Sequence, residues 1–571
     1  MSHSVFFRRA SIKIVVLSAF ILVGTTSVSF AQEYSRYMIS AANPYAAKAG
    51  RDILEMGGSA VDAAIATQMV LTLVEPQSSG IGGGAFMLHF DGENQAIETY
   101  DGREMAPAAV GEDHFLKSDG TKKKFYEAVV GGGSVGVPGV IAMMELAYQD
   151  HGILPWNVLF QPAIKLAREG FPISERLYFL LERDKFLKTK SVAAEYFYLP
   201  DGTAKPVGTI LKNPKLADTL ERIAQNGSNA FYRGKIAKDI VTAVQADIQN
   251  PGLLTEVDLA NYHAVKREPV CADYRENLVC GMGPPTSGGI TVLQILKVLE
   301  NWEMSATSPG SPEAIHLISQ ASALAFADRN KYLGDADYVD IPKTEMLADT
   351  YIASQAKRVA PAVSKIPFVA GRPSEKQGNL SVDNAIELPS TSHFSIVDQE
   401  GNAVSMTTSV ENVFGSRLMV DGFILNNQLT DFSFNPIGND GPVNNRIQPG
   451  KRPRSSMSPT MVLDDGGNLQ MVVGSPGGSR IIGFVASTIV GVLDWNLDMQ
   501  SAIDMPHHIN RNGTLDLEKD TSLASHQSDL EEMGYEVKLR TLNSGLHGIL
   551  VTKEGLQGGA DPRREGVVLD R

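Results

Sequence analysis

Between Leu388 and Asn412 the chain reads Leu-Pro-Ser-Thr-Ser-His-Phe-Ser-Ile-Val-Asp-Gln-Glu-Gly-Asn-Ala-Val-Ser-Met-Thr-Thr-Ser-Val-Glu-Asn. The stretch predicts a hairpin, with strands over 392–397 and 403–409, whose first strand begins at Thr391. A hydroxyl at the start of a strand is ordinary. One that could become a new N-terminus is a catalyst, because its own α-amine can act as the base.

Ahead of the hairpin, residues 360–390 are polar and irregular, as in Gly371-Arg372-Pro373-Ser374-Glu375-Lys376, and predict an exposed linker. Behind it, strands are predicted over 422–425, 461–463, 469–473, 537–540 and 547–552, and helices over 480–493 and 523–533. Towards the N-terminus, Asn43-Pro44 opens a helix that runs to Met56, with proline at the first helical position and Gly57-Gly58 as its stop. Ser59 caps a second helix, Ala60 to Val74, which is apolar on most faces and therefore buried. Residues 140–360 are mostly helical by period. Runs of strands flanked by runs of helices point to layered α+β packing.

At 571 residues a single small core is excluded, and 43% apolar with 20% charged residues is a globular composition. Arg8, Arg9 and Lys13 precede an apolar run from Ile14 to Phe30, and Ser29-Phe30-Ala31 places small residues at the −3 and −1 positions of a cleavage site. Residues 1–31 are expected to be a secretory signal peptide, with an uncleaved anchor as the alternative. Its removal takes three positive charges and no acids, and the net charge falls from −14 to −17. That argues against a nucleic-acid partner. No stable membrane span is expected after the signal is removed. Cys271 and Cys280 lie on two short strands around a turn, where a cross-hairpin bridge and two buried thiols are both compatible with the sequence. No metal and no cofactor are expected; two cysteines without nearby histidines do not make a metal site.

Several motifs compete for chemistry. Gly80 to Ala85 fits the dinucleotide pattern, but no strand precedes it and a strand follows it, so a tight turn or close backbone approach is the better reading. Gly132-Gly133-Ser134-Val135-Gly136 fits a nucleophile elbow. A strand-like Ala128-Val129-Val130 precedes it, but the next helix starts only near Pro138. His507-His508 has no acid or cysteine at ligand spacing and is read as surface or packing residues. Lys451-Arg452-Pro453-Arg454 reads as a solvated loop. Gly474-Ser475-Pro476-Gly477-Gly478-Ser479-Arg480 sits between a strand and a helix, where successive glycine amides can converge on negative charge. Beside an N-terminal nucleophile it becomes a candidate oxyanion hole.

Taken together, Gly80-Ile81-Gly82-Gly83-Gly84, Arg103-Glu104-Met105-Ala106-Pro107, Pro284-Pro285-Thr286-Ser287-Gly288-Gly289, Thr391-Ser392-His393-Phe394-Ser395, Asn426-Asn427-Gln428, Asp431-Phe432-Ser433, Ser455-Ser456-Met457-Ser458-Pro459 and Gly474 to Arg480 resemble the γ-glutamyltransferases (glutathione hydrolases) of the N-terminal nucleophile hydrolases. The match runs from about Ala41 to the C-terminus. The resemblance implies a four-layer αββα sandwich, cut between Ser390 and Thr391 into a large chain, residues 32–390, and a small catalytic chain, residues 391–571, that stay together as one domain. It implies Thr391 as nucleophile, Ser409 as its hydroxyl partner, and the Gly477 and Gly478 amides as oxyanion hole. Arg103, Ser455 and Ser456 would grip the substrate α-carboxylate. Glu411, Gln428 and Asp431 would hold the α-ammonium. Substrates would be glutathione and other γ-glutamyl compounds, with water, amino acids or peptides as acceptors. The expected location is periplasmic, with secretion as the alternative.

The chain departs from the family's pattern in three places. Many members carry threonine where Ser409 stands. Position 411 varies between Asn and Glu in the family. The stretch from Pro436 to Lys451 is short for an active-site lid and lacks the lid's aromatic residue, which predicts a more open site. Rival readings are a same-fold acylase for another acyl group (a glutaryl-cephalosporin acylase or poly-γ-glutamate depolymerase), a serine hydrolase using Ser134, and a non-catalytic binding protein. Glutaryl substrates have no α-amine, so the pairing of Glu411 with Asp431 argues against the first.

Overall fold

A computed structural model describes residues 1–2, 36–376 and 378–571. The signal peptide expected over 1–31 lies almost wholly outside them. β1 (Met38–Ala41) leads into α1 (Pro44–Glu55) and α2 (Ala60–Val74). The Asn43 side chain accepts from the Tyr45 amide, and Pro44 takes the first helical position, so α1 starts where the sequence predicts. Ser59 and Asp62 cap α2 reciprocally. Then come β2 (Gly84–Asp91), β3 (Ala96–Gly102), α3 (Val140–His151), β4 (Val265–Arg267), β5 (Val270–Tyr274) and β6 (Asn277–Gly281). α4 (Gly288–Leu299) and α5 (Pro312–Tyr332) precede β7 (Ser392–Val397) and β8 (Ala403–Ser409), the predicted hairpin. β9 (Thr460–Leu463), β10 (Leu469–Gly474), α6 (Ile481–Leu493), β11 (His547–Thr552), β12 (Gly555–Ala560) and β13 (Val567–Asp570) complete the main elements.

The strands form two large antiparallel sheets, one ordered β13-β1-β7-β8-β2-β3-β4 and the other β12-β11-β10-β9-β6-β5. Side-chain alternation sorts the faces of the first sheet. On β2, Ala85 and Met87 join a core with Ile65, Val70 and Leu71 of α2. Phe86, Leu88 and Phe90 point the other way and join Met461, Val472 and Ile549 of the second sheet. Ile290 and Leu293 of α4, Leu324 of α5 and Val485 of α6 complete that second core. The result is the αββα sandwich, with both sheets buried between helices.

Cys271 and Cys280 stand opposite each other on β5 and β6 and are joined by a disulfide. Four of these strands escape the sequence pattern: β1, β4, β12 and β13. β12 carries Gly555, Gly558 and Gly559, which weaken any strand signal, and a hypothetical Cβ at Gly559 would lie 2.7 Å from the Ile503 side chain. The strand-like Ala128-Val129-Val130 is instead the end of one short helix, Phe125–Val129. Among its described residues the linker over 360–390 has no helix and one isolated bridge, Ser381 to Val443, but it is exposed only in part: Ser381, Asp383 and Ser390 are buried. No helix among the described residues is long and apolar enough to cross a membrane.

Candidate active site

Thr391 directly precedes β7, a central strand of the first sheet that pairs with β8 from Ser392 onward and with β1 from Phe394 onward. Its φ is +93°, a left-handed conformation that a β-branched residue adopts only under constraint, and its side chain is buried. The β7–β8 register places Ser392 opposite Thr408, so the next pair is Thr391 and Ser409. Their hydroxyls lie 3.1 Å apart. Ser409 Oγ also accepts from the Glu411 amide at 2.9 Å. The Gly80–Ala85 segment is a close backbone approach: a Cβ at Gly83 would fall 2.1 Å from the Ser409 carbonyl oxygen.

The loop between β10 and α6 reaches the bond in front of Thr391. The Gly477 amide donates to the Ser390 carbonyl at 3.2 Å. Gly477 and Gly478 have φ of 140° and 61°, conformations suited to glycine, and a Cβ at Gly478 would sit 2.7 Å from the Leu388 carbonyl oxygen. On the other side of the bond, Arg564 Nη1 donates to the Thr391 carbonyl at 2.8 Å.

Thr391, Ser409, Arg103, Glu411, Gln428, Asp431, Ser455, Ser456 and Gly478 line one cavity; Gly477 stands behind it at Ser390. The cavity holds about 30 Å³ of free space, close to one water's share of liquid, because Glu387 and Leu388 of the linker also lie in it. The sequence therefore brings its expected site residues together, but two of their pairings differ from expectation. Arg103 Nη2 binds Asp431 Oδ2 at 2.5 Å, and so the expected carboxylate and ammonium holders hold each other. Ser456 Oγ is bonded to Glu387 and to Arg329 Nη2, the latter at 2.6 Å.

Charges here are crowded and dry. Burial, then the charge of Asp431, pushes the Glu411 carboxyl well above its ordinary range. Burial raises Asp431 as well, against the pull of Arg103. Burial lifts Glu104, beside Arg103, to about 8. Gln428 Nε2 donates to Asp431 Oδ2 at 2.8 Å, and its Oε1 is buried with no hydrogen-bond partner. Glu387 differs: burial pushes it up, but Arg329, Arg454 and the Ser456 hydroxyl outweigh burial and hold it at about 2.

Sequence reasoning missed Glu387, Arg329, Arg454 and Arg564. It also misread Lys451–Arg454. This run is buried: Arg454 pairs with Asp383 at 2.8 Å, and the Arg452 amide donates to Asp335 at 2.8 Å. The acids come from segments far away in sequence, so no local pattern could show them. A lone acid four residues before the expected cut was the one available signal for Glu387.

The competing motifs are closed. Ser134 is fully buried and its hydroxyl donates to Val129 O at 2.6 Å and Gly131 O at 3.0 Å. It sits in a short 3₁₀ turn, and the next helix begins only at Val140. His507 and His508 are buried packing residues, His507 bonding Ser544 at 2.7 Å. Among the described residues, His89, Glu98 and His151 approach one another at ligand distance, but Lys266 Nζ already sits 3.0 Å from Glu98 and the two imidazoles stack at 3.7 Å.

Comparison with known proteins identifies the family. The family model described as gamma-glutamyltranspeptidase matches residues 46–570. The chain is 37% identical to the glutathione hydrolase proenzyme of Escherichia coli (strain K12), over 92% of this chain and 90% of the relative. It is 36% identical to that of Bacillus subtilis (strain 168), over 93% and 91%. Among solved structures, cephalosporin acylase from Bacillus halodurans superposes with a TM-score of 0.82 at 26% identity, covering 94% of this chain and 96% of that one. The gamma-glutamyltranspeptidase of Helicobacter pylori superposes with a TM-score of 0.54 at 32% identity, over 59% and 93%. With its family model matched over nearly the whole chain and two bacterial relatives aligned over at least nine-tenths of each chain, this chain belongs to the gamma-glutamyltranspeptidase family.

Proposed function

We propose that this chain cuts itself between Ser390 and Thr391 and that the freed Thr391 then transfers γ-glutamyl groups from glutathione and related compounds to water, amino acids or peptides. The observation that carries the reading is the Gly477 amide, already donating to the Ser390 carbonyl, with the Thr391 hydroxyl beside it. Thr391 Oγ adds to the Ser390 carbonyl carbon, its proton passes to the amide nitrogen, and the C–N bond breaks to leave an ester. Water hydrolyses the ester to a Ser390 carboxylate, a Thr391 hydroxyl and a free α-amine. That amine, with a reference pKa of about 7.7–8.0, is substantially unprotonated near neutrality.

In turnover, Oγ adds to the γ-carbonyl and its proton goes to the α-amine. Gly477 and Gly478 stabilise the oxyanion, and the leaving amine departs with the proton. Water or an accepting amine then releases the γ-glutamyl group. Arg103 with Ser455 and Ser456 holds the substrate α-carboxylate. Glu411, Asp431 and the unpartnered Gln428 Oε1 hold its ammonium. The likeness to a cephalosporin acylase keeps a second acyl class in view; two buried carboxylates and an orphan acceptor favour a donor that carries an α-amine. The Cys271–Cys280 disulfide supports an exported, periplasmic location. Intact mass of the purified protein, with N-terminal sequencing, tests the cut: two chains, the smaller beginning at Thr391, are expected, and one chain for Thr391→Ala. An uncut wild-type chain that still releases γ-glutamyl groups would overturn the reading.

A further inference from the structure

Next to the nucleophile's cavity lies a second one of about 340 Å³, large enough for a small ligand. Glu387 lines both, so in the uncut chain the linker forms the wall between them. The second cavity is ringed by Arg329, Arg511 and Arg540, with Ser479 at its edge. Ser479 directly follows Gly478, so the cavity opens from the loop that faces the scissile bond.

The arginines differ in their partners. Arg540 binds Asp516 at 2.6 Å and Arg480 binds the same carboxylate at 3.3 Å. Arg329 binds Glu387 at 2.6 Å. Arg511 has no carboxylate within ion-pair distance among the described residues; its one hydrogen bond runs from Nη1 to Ser479 Oγ at 2.7 Å. Burial, and then the charge of Arg480, disfavours its cationic form. Arg511 is half-buried and lines the cavity with no carboxylate paired to it among the described residues, and its planar fork suits one.

We propose that Arg511, held by Ser479 and facing this cavity, binds the C-terminal carboxylate of the peptide that leaves when the γ-glutamyl bond is cut. The proposal rests on the γ-glutamyl reading above. Cutting at Ser390 frees the Glu387–Ser390 segment from Thr391, and the two cavities then form one cleft, with the acyl half of the donor at Arg103 and the amine half at Arg511. Specificity for peptide-like leaving groups follows from charge, not from shape.

The test compares donors with and without that carboxylate. For the mature wild-type enzyme, glutathione carrying a glycinamide terminus is expected to show a KM at least tenfold above that of glutathione, with kcat changed less than threefold. γ-Glutamyl-p-nitroanilide lacks the carboxylate in both forms of the enzyme. Arg511→Gln should raise KM for glutathione at least tenfold and KM for the anilide less than twofold, with Arg511→Lys in between. Equal KM values for glutathione and its amide in the wild type overturn the subsite, and this arm needs no variant to fold. An equal rise of KM for glutathione and anilide in Arg511→Gln also overturns it. Absence of γ-glutamyl release from every donor overturns the functional reading itself.

Discussion

The Gly477 amide donates to the carbonyl of Ser390 at 3.2 Å, and the residue bonded to that carbonyl is Thr391. One donor of the loop between β10 and α6 is thus already engaged with the bond to be cut. Gly477→Ala is expected to slow the cut, and the turnover that follows it, by about 10²–10³-fold, the usual cost of losing one oxyanion donor. The alanine would adopt φ near 140° and put its Cβ 2.9 Å from Phe484, which moves the amide. The rate at which the two-chain form appears, followed by denaturing gels, checks this. Thr391→Ala should show no cut at all.

Substrate binding should depend on pH through Glu411 and Asp431. Both are raised by burial, so each takes up a proton at a pH above the ordinary carboxylate range. Only the ionised forms hold an ammonium. KM for a γ-glutamyl donor is therefore expected to rise as pH falls through these elevated values. Asp431→Asn removes the charge that lifts Glu411, so the remaining rise should move to lower pH, on a higher baseline KM. KM measured across pH 4–8 in both proteins decides it; an unmoved profile counts against the ammonium role.

Glu387 ties the linker to buried Arg329 in the uncut chain. Breaking a buried pair from one side costs about 3–5 kcal/mol. On a Thr391→Ala background, which keeps the chain whole, Glu387→Ala should lower unfolding free energy by that order in urea titration. In the cleavable chain the same change should delay the two-chain form.

Ser134→Ala should leave γ-glutamyl turnover within twofold of wild type and cost about 1–3 kcal/mol of stability, because two buried backbone carbonyls lose their hydroxyl donor. A large loss of activity at normal stability would return the serine-hydrolase reading.

Burial holds His547 and His508 at about 4 and His507 at about 3, all below the ordinary imidazole value. They are neutral in the folded protein but take up protons when unfolded. Stability is therefore full above about pH 6.5 and is lost as pH falls towards the folded values, at about 1.4 kcal/mol per pH unit for each histidine. Thermal unfolding midpoints should drop steeply between pH 6.5 and 4, and His508→Asn should flatten the fall.

Much of this was legible from residues alone. Hairpin strands 392–397 and 403–409 are found at those residues, and α2 begins and ends as Ser59 and the apolar run require. The site residues named from motifs, Gly477 apart, line one cavity, because the motifs mark backbone turns, and turns are locally encoded. What stayed hidden was long-range charge. Arg454 looks like a solvated cation until Asp383, seventy-one positions earlier, is laid beside it. The Arg103–Asp431 pairing was equally unreadable, since the two residues stand 328 positions apart.

In the first sheet, β1 lies between β13 and β7, and a cut at Ser390 leaves β1 on one product while both its neighbours belong to the other. The two products are interlaced rather than docked. Neither contains the hydrogen-bond partners for its own edge, and the short loop-closure distances that guided β1 into its slot exist only while the chain is covalently whole. If cut there, the matured enzyme would inherit a fold it cannot find again, and its working life would be set by a barrier to opening rather than by an equilibrium.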